Sequence, residues 1–340
     1  MTLYNPSLSS SSASLRAAAP FDSKDADVVL RSSDNVDFRV HKSILKLASP
    51  VLAALISLTP LPPSAPRRHR RRRVVPLAEP GESLDLFLRF IYPVPEPPLS
   101  LDEVATLLEL AHKYDSPSVT SRMRPHLLRP DDLHADPLQV YALASYAGMD
   151  DVARTAALFT LPHPLPHPAQ LAETRLLPGP ALVRVLEYRR RCVEAATRVA
   201  RIADDGAVPS WVQLRWRRFC FLSECSSREC AKLPRRTLRW DRTLYGCVDV
   251  PEYWVAYMDA VADALEKSLD PGVARSRALV RGAAEAGVGC ARCAGRVGAD
   301  LEEFAEIVEA VIEEAISSVS SGSQWGCLWG RNGRDGSTDA

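Results

Sequence analysis

Asp27-Val28-Val29-Leu30-Arg31-Ser32-Ser33-Asp34-Asn35-Val36-Asp37-Phe38-Arg39-Val40-His41-Lys42-Ser43-Ile44-Leu45 is the stretch whose reading decides the fold. Asp27 to Leu30 reads as a strand, Ser33-Asp34-Asn35 as a turn, and Val36 to Val40 as a second strand. Val36, Phe38 and Val40 share one face while Asp37 and Arg39 point the other way, which predicts an antiparallel hairpin buried on one side. After His41 the apolar period lengthens. Ile44, Leu45, Leu47 and Ala48 fit a short helix, and Ser49-Pro50 supplies an N-cap and a first-turn proline for another helix through Leu58.

Downstream, residues 59–73 hold prolines and six arginines, Arg67, Arg68, Arg70, Arg71, Arg72 and Arg73, and are expected to be an exposed loop. Val74-Val75 is a candidate strand. Leu84, Phe87, Leu88 and Ile91 recur at helical spacing until Pro93, and Ser100 with Glu103 forms a capping box that opens a helix burying Val104, Leu107, Leu108 and Ala111. Asp136-Pro137 starts a helix that Gly148 stops, and Asp150 or Asp151 caps another to about Leu161. The alternating prolines of residues 162–168 predict an extended linker. Beyond it, three amphipathic helices are expected at 181–202, 254–269 and 300–319, the first burying Leu182, Val185, Leu186, Cys192, Val193, Ala196 and Val199. Residues 206–250 concentrate Trp, Arg and Cys without a clear period.

The predicted organisation is a disordered tail at 1–20, a strand-and-helix domain at 21–130, a helical extension at 131–162, a proline-rich linker at 163–180, a mainly helical domain at 181–320 and a second disordered tail at 321–340. The fold class is α+β, with a small, mostly antiparallel sheet and a mainly helical C-terminal region. The 340 residues carry 42 Lys+Arg and 42 Asp+Glu, and 46% are apolar. That composition suits a folded chain and argues against global disorder, while the lack of any 18-residue apolar run argues against an integral-membrane protein. The neutrality is made of opposed blocks: residues 181–245 have 15 basic and 7 acidic side chains, and residues 246–340 have 8 and 16. Such blocks attract each other or face separate partners. Without a basic start and apolar run, residues 1–20 do not read as a secretory signal, so a cytoplasmic or nuclear setting with reduced thiols is expected.

The order of the hairpin, His41-Lys42-Ser43-Ile44-Leu45, Ala48-Ser49-Pro50-Val51-Leu52, Phe87-Leu88-Arg89-Phe90-Ile91-Tyr92 and Leu107-Leu108-Glu109-Leu110-Ala111-His112-Lys113-Tyr114-Asp115 resembles the BTB/POZ fold. The Tyr92-Pro93 ending departs from that family's more usual Tyr-Thr-Gly and is similar to large sets of fungal-type BTB proteins. The resemblance implies a non-enzymatic interaction module that homodimerises and recruits partners. Asp27 and Lys42 match positions that form a charged pair near the dimer interface, and His41 matches a largely buried histidine expected to hold its turn. Members that serve as ubiquitin-ligase adaptors use an apolar-x-Glu element before the strand equivalent to Val74-Val75. Here residues 59–73 contain no acid, and Leu77-Ala78-Glu79 comes after the strand.

Cys290-Ala291-Arg292-Cys293 has the two-residue spacing that lets two thiolates reach one Zn2+ from a tight turn. Cys220, Cys225, Cys230 and Cys247 are available upstream, and Cys225 with Cys230 is the chosen completion of a structural zinc site; buried or surface thiols without a metal are the alternative reading. His163 and His167 lie among prolines that forbid a shared helical face. No nucleophile elbow, phosphate loop, dinucleotide motif or His-Glu-x-x-His is present. Trp211, Trp216, Trp240 and Trp254 among arginines suit either domain packing, which is preferred, or a stacking surface. The expected function is a scaffold that binds itself and another protein through its C-terminal half. The alternatives are a nuclear regulator binding nucleic acid through the arginine segments and a ubiquitin-ligase substrate adaptor.

Overall fold

The computed structural model describes residues 14–60, 72–164, 166–203, 206–215, 217–223, 225–240 and 246–321, with the side chains of Ser320 and Ser321 left out. The chain divides into two compact units, residues 1–156 with 174–177, and residues 157–173 with 178–340.

The first unit contains strands β1 (Leu15–Arg16), β2 (Val28–Arg31) and β3 (Val36–Val40), then helices α1 (Lys42–Ala48) and α2 (Pro50–Leu58), strand β4 (Arg73–Pro76), and helices α3 (Gly81–Ile91), α4 (Leu101–Lys113), α5 (Pro117–Arg122), α6 (Arg124–Leu127), α7 (Pro130–Ala135), α8 (Pro137–Tyr146) and α9 (Asp150–Phe159), the last of which runs into the second unit. The hairpin forms as the alternation predicts, with Val28 opposite Val40 and Leu30 opposite Phe38. Asn35 takes the left-handed conformation (φ 62°) that its short side chain tolerates. Ser32 Oγ accepts the Val36 N–H at 2.9 Å and closes the turn.

The sheet order is β1-β3-β2-β4. It is mixed rather than mostly antiparallel: β4 returns beside β2 in parallel register, Leu30 against Val75, because the α1-α2 crossover brings the chain back in the same direction. β1 pairs in parallel with β3, so residues 14–20 are part of the fold, not of a tail, whereas residues 1–13 and 322–340 lie outside the described residues.

Helix ends follow the expected caps. Ser49 Oγ accepts the Leu52 N–H at 2.9 Å, and its hydroxyl donates to the Tyr114 carbonyl. Ser100 and Glu103 form the reciprocal capping box. α3 begins three residues before the expected Leu84 because its cap comes from elsewhere: Asp34 Oδ1, in the hairpin turn, accepts the Gly81 N–H at 2.9 Å. A Cβ at Gly81 would stand 3.1 Å from Val36 Cγ2, which leaves little room for another residue. Phe21, Phe38 and Tyr92 meet in the core, with ring centroids 5.4 and 5.9 Å from Phe21.

The second unit contains α10 (Pro168–Glu173), α11 (Gly179–Ala200), α12 (Ser210–Gln213), strands β5 (Arg235–Arg239) and β6 (Cys247–Pro251), and helices α13 (Glu252–Lys267), α14 (Arg277–Gly287), α15 (Ala291–Ala294) and α16 (Val297–Ser321). α10 interrupts the expected extended linker. Pro168 is its first residue, where the missing N–H costs no hydrogen bond.

α11 buries Ala181, Val185, Tyr188, Arg189, Cys192, Ala196 and Ala200, while Leu186 is exposed. The helix is therefore turned slightly from the expected face, and Arg189 enters it by donating to the Thr160 and Leu161 carbonyls at 2.9 and 3.0 Å. β5 and β6 form an antiparallel hairpin that the arginine-rich sequence conceals. The core centres on Phe304 of α16, whose ring meets Phe221, Phe219, Trp211, Trp254 and Tyr257 at centroid distances of 5.3 to 6.4 Å. Trp240 and Trp254 are buried here; Trp216 lies outside the described residues. No helix among the described residues is long and apolar enough to cross a membrane.

Candidate functional site

The first candidate site lies at the junction of β2, β3 and α1. Exposed Asp27 accepts the backbone N–H of Lys42 at 2.8 Å, so the carboxylate holds the first turn of α1. The His41 N–H donates to Tyr92 Oη at 2.7 Å, tying the strand–helix corner to the end of α3. The His41 ring is half-buried rather than largely buried: 32% of its side chain is exposed, its Nδ1 is 3.4 Å from Tyr92 Oη and its Nε2 is 3.4 Å from the exposed Asp25. Burial raises the Tyr92 hydroxyl above the ordinary phenol range. The corner is built from backbone N–H groups that donate to the Asp27 and Tyr92 side chains.

Some large apolar side chains of this unit stand in solvent. Leu47 on α1 is 91% exposed and Leu58 at the end of α2 is 80% exposed. Leu15 is exposed on β1, and both β1 and β4 are sheet edges. Of the apolar residues that mark α1 in the sequence, the helix buries Leu45 and turns Leu47 outward.

Glu79 has a structural task. Its side chain is 7% exposed, accepts the Tyr114 hydroxyl at 2.6 Å and pairs with Lys113. Burial would raise its carboxyl, but the Lys113 and Tyr114 hydrogen bonds outweigh this and hold it below 4.5. Tyr114 is pushed well above the phenol range by burial and by the adjacent Glu79. The arginine run is exposed loop only in expectation at its end: Arg72 donates to the Ala26 and Lys24 carbonyls, and Arg73 lies in β4 and donates to the Ile56 carbonyl at 2.9 Å. Arg67, Arg68, Arg70 and Arg71 lie outside the described residues.

In the second unit the two charge blocks meet. Arg201 pairs with Asp263 and Glu266, Arg236 with Glu252 and Asp259, and Arg218 with Glu303. Arg190 and Arg191 pair within α11 to Glu187 and Glu194. Arg201, Arg218 and Arg236 of the basic block are thereby matched to carboxylates of the acidic block.

The second candidate site is a cysteine cluster. Cys225, Cys230, Cys290 and Cys293 bring their sulfurs within 4.8 Å of one another. Cys225 lies in the irregular segment before a short 3-10 turn, Cys230 begins that turn, Cys290 caps α15 and Cys293 lies within it. Cys230, Cys290 and Cys293 are buried, and Leu233 and Cys220 pack against them. Cys247 is exposed on β6, and Cys192 is buried on α11.

Burial raises the Cys230 and Cys293 thiols, with the neighbouring thiols adding to the effect. Burial would also raise Cys290, yet hydrogen bonds from the Cys293 and Arg292 backbone and from Ser227 lower it to about 7. Burial and Asp300 push Cys220 up to about 12. Four thiols in this arrangement can close around a soft metal ion.

The BTB/POZ domain family matches residues 19–130. A search of the curated proteins finds no match.

Proposed function

Residues 19–130 are a BTB/POZ domain, a protein-interaction module of a kind that self-associates, and on that premise we propose that the chain is a homodimeric scaffold whose C-terminal unit recruits a second protein. The observation that carries the reading is Leu47, an aliphatic side chain 91% exposed on α1 one turn beyond the Asp27–Lys42 corner. A leucine held in water on a rigid helix gains about 1.5–3 kcal/mol when a partner covers it. The exposed Leu15 on an edge strand favours the same outcome, since an unpaired edge is a template for another chain.

Charge pairing within the C-terminal unit supports protein recruitment over an open basic surface for nucleic acid, which needs unpaired cations to displace counterions. The burial of Glu79 against Tyr114 and Lys113 likewise argues against its use as a ubiquitin-ligase contact. Sedimentation equilibrium tests self-association. The full chain is expected at twice its 37.3 kDa mass, and Leu47→Asp at the single-chain mass with its fold intact. A wild-type chain that stays monomeric across the micromolar range removes the reading.

A further inference from the structure

We propose that Cys225, Cys230, Cys290 and Cys293 bind one Zn2+ as a tetrathiolate, and that this ion fastens the segment 225–233 to the turn at 288–296. The geometry is close to that of a bound site. Zinc–sulfur bonds of about 2.3 Å in a tetrahedron require sulfur–sulfur edges of about 3.8 Å. The Cys225 and Cys290 sulfurs are 3.9 Å apart, and no pair in the set exceeds 4.8 Å. A disulfide needs about 2.05 Å, so the Cys225–Cys290 spacing fits a shared ion better than a direct bond.

The two ligand-bearing segments are 65 residues apart in sequence and are held in register by contacts that do not involve sulfur. The Ala291 N–H donates to Glu229 Oε2 at 3.0 Å, and Arg292 Nη1 donates to Ser226 Oγ at 2.9 Å. Within the turn, the Cys290 carbonyl accepts the Cys293 and Ala294 N–H groups at 3.0 and 2.9 Å, which sets the two-residue spacing. A Cβ at Gly289 would stand 2.8 Å from Leu233 Cδ2, so the turn packs directly on the opposite segment. Such outer contacts orient metal ligands and are part of a metal site's design.

Four sulfur donors select a soft ion and leave no open position for substrate, which makes the role structural. On binding, the four thiols release their protons to solvent and the site carries a net charge of two minus, which Arg292 adjoins. Segment 225–233 has only the short turn Cys230–Lys232 as regular structure of its own, so metal binding becomes part of its folding free energy.

The test uses the full-length chain. Elemental analysis is expected to find one zinc per chain, lost in Cys293→Ser and in Cys290→Ser but kept in Cys247→Ser, whose thiol is exposed outside the cluster. Replacement with Co2+ is expected to give the visible absorption of a tetrahedral thiolate site, a reading on the wild-type chain that does not depend on any variant folding. Chelation is expected to speed amide exchange in 225–233 and 288–296 while leaving β2 and β3 unchanged. A wild-type chain free of zinc, iron in its place, or recovery of these cysteines as disulfides overturns the assignment of zinc; zinc that can be stripped with no change in exchange overturns the fastening role.

Discussion

The N-terminal unit closes several of its element ends with side chains a few residues away, whereas the C-terminal unit draws several of its anchors from far along the chain. In the first unit Ser49 caps Leu52, Ser100 and Glu103 cap each other, and Ser32 closes on Val36. In the second, Arg201 reaches Asp263 across 62 residues, the Cys220 N–H reaches Asp300 across 80 and Arg218 reaches Glu303 across 85. Locally specified elements bring their order with them. Residues 217–223 and 225–233 dock on α16 and the cysteine turn through Arg218, Cys220 and Glu229, so their stability depends on a few long-range anchors.

Three substitutions probe that contrast. The largest effect is expected for Phe304→Ala, which empties the centre of five aromatic neighbours and should remove about 3–5 kcal/mol, concentrated in the C-terminal unit. Denaturant unfolding with amide exchange would read it; equal loss of protection in β2 and β3 would break the contrast.

Glu79→Ala should remove about 1–3 kcal/mol from the N-terminal unit by leaving the buried Tyr114 hydroxyl without its acceptor. Because the Glu79 carboxyl is held below 4.5, its stabilisation is complete above that pH and is lost as pH falls through the depressed value. The gap between wild type and variant is therefore expected to narrow in acid, and a gap independent of pH down to the acid transition would remove the ion-pair account. The smallest effect, about 1 kcal/mol, is expected for Ser100→Ala, with fraying confined to the start of α4. Faster exchange at the α4 N-terminus alone would sharpen the picture of local specification.

Periodicity and caps made the N-terminal domain legible: the hairpin, the Ser49 and Ser100 helix starts and the Gly148 stop stand where the residues place them. The misses in that unit share a cause. α3 starts early because Asp34 caps it from 47 residues away, and Arg72 and Arg73 belong to the fold because backbone carbonyls receive them. The β5-β6 hairpin was hidden because Arg235, Arg236 and Arg239 interrupt any apolar alternation. The cysteine quartet was legible by one motif and one choice among four upstream thiols, and folding does gather those four sulfurs.

By itself the sequence determined what period, cap and turn chemistry can encode: an α+β N-terminal domain, the long helices beyond it and opposed blocks of charge. Only the tertiary structure decided which arginines meet which carboxylates, that Leu47 faces outward while Glu79 is buried, and which cysteines converge. Those outcomes depend on pairs of residues tens of positions apart, and a local pattern carries no information about which distant surface will cover it.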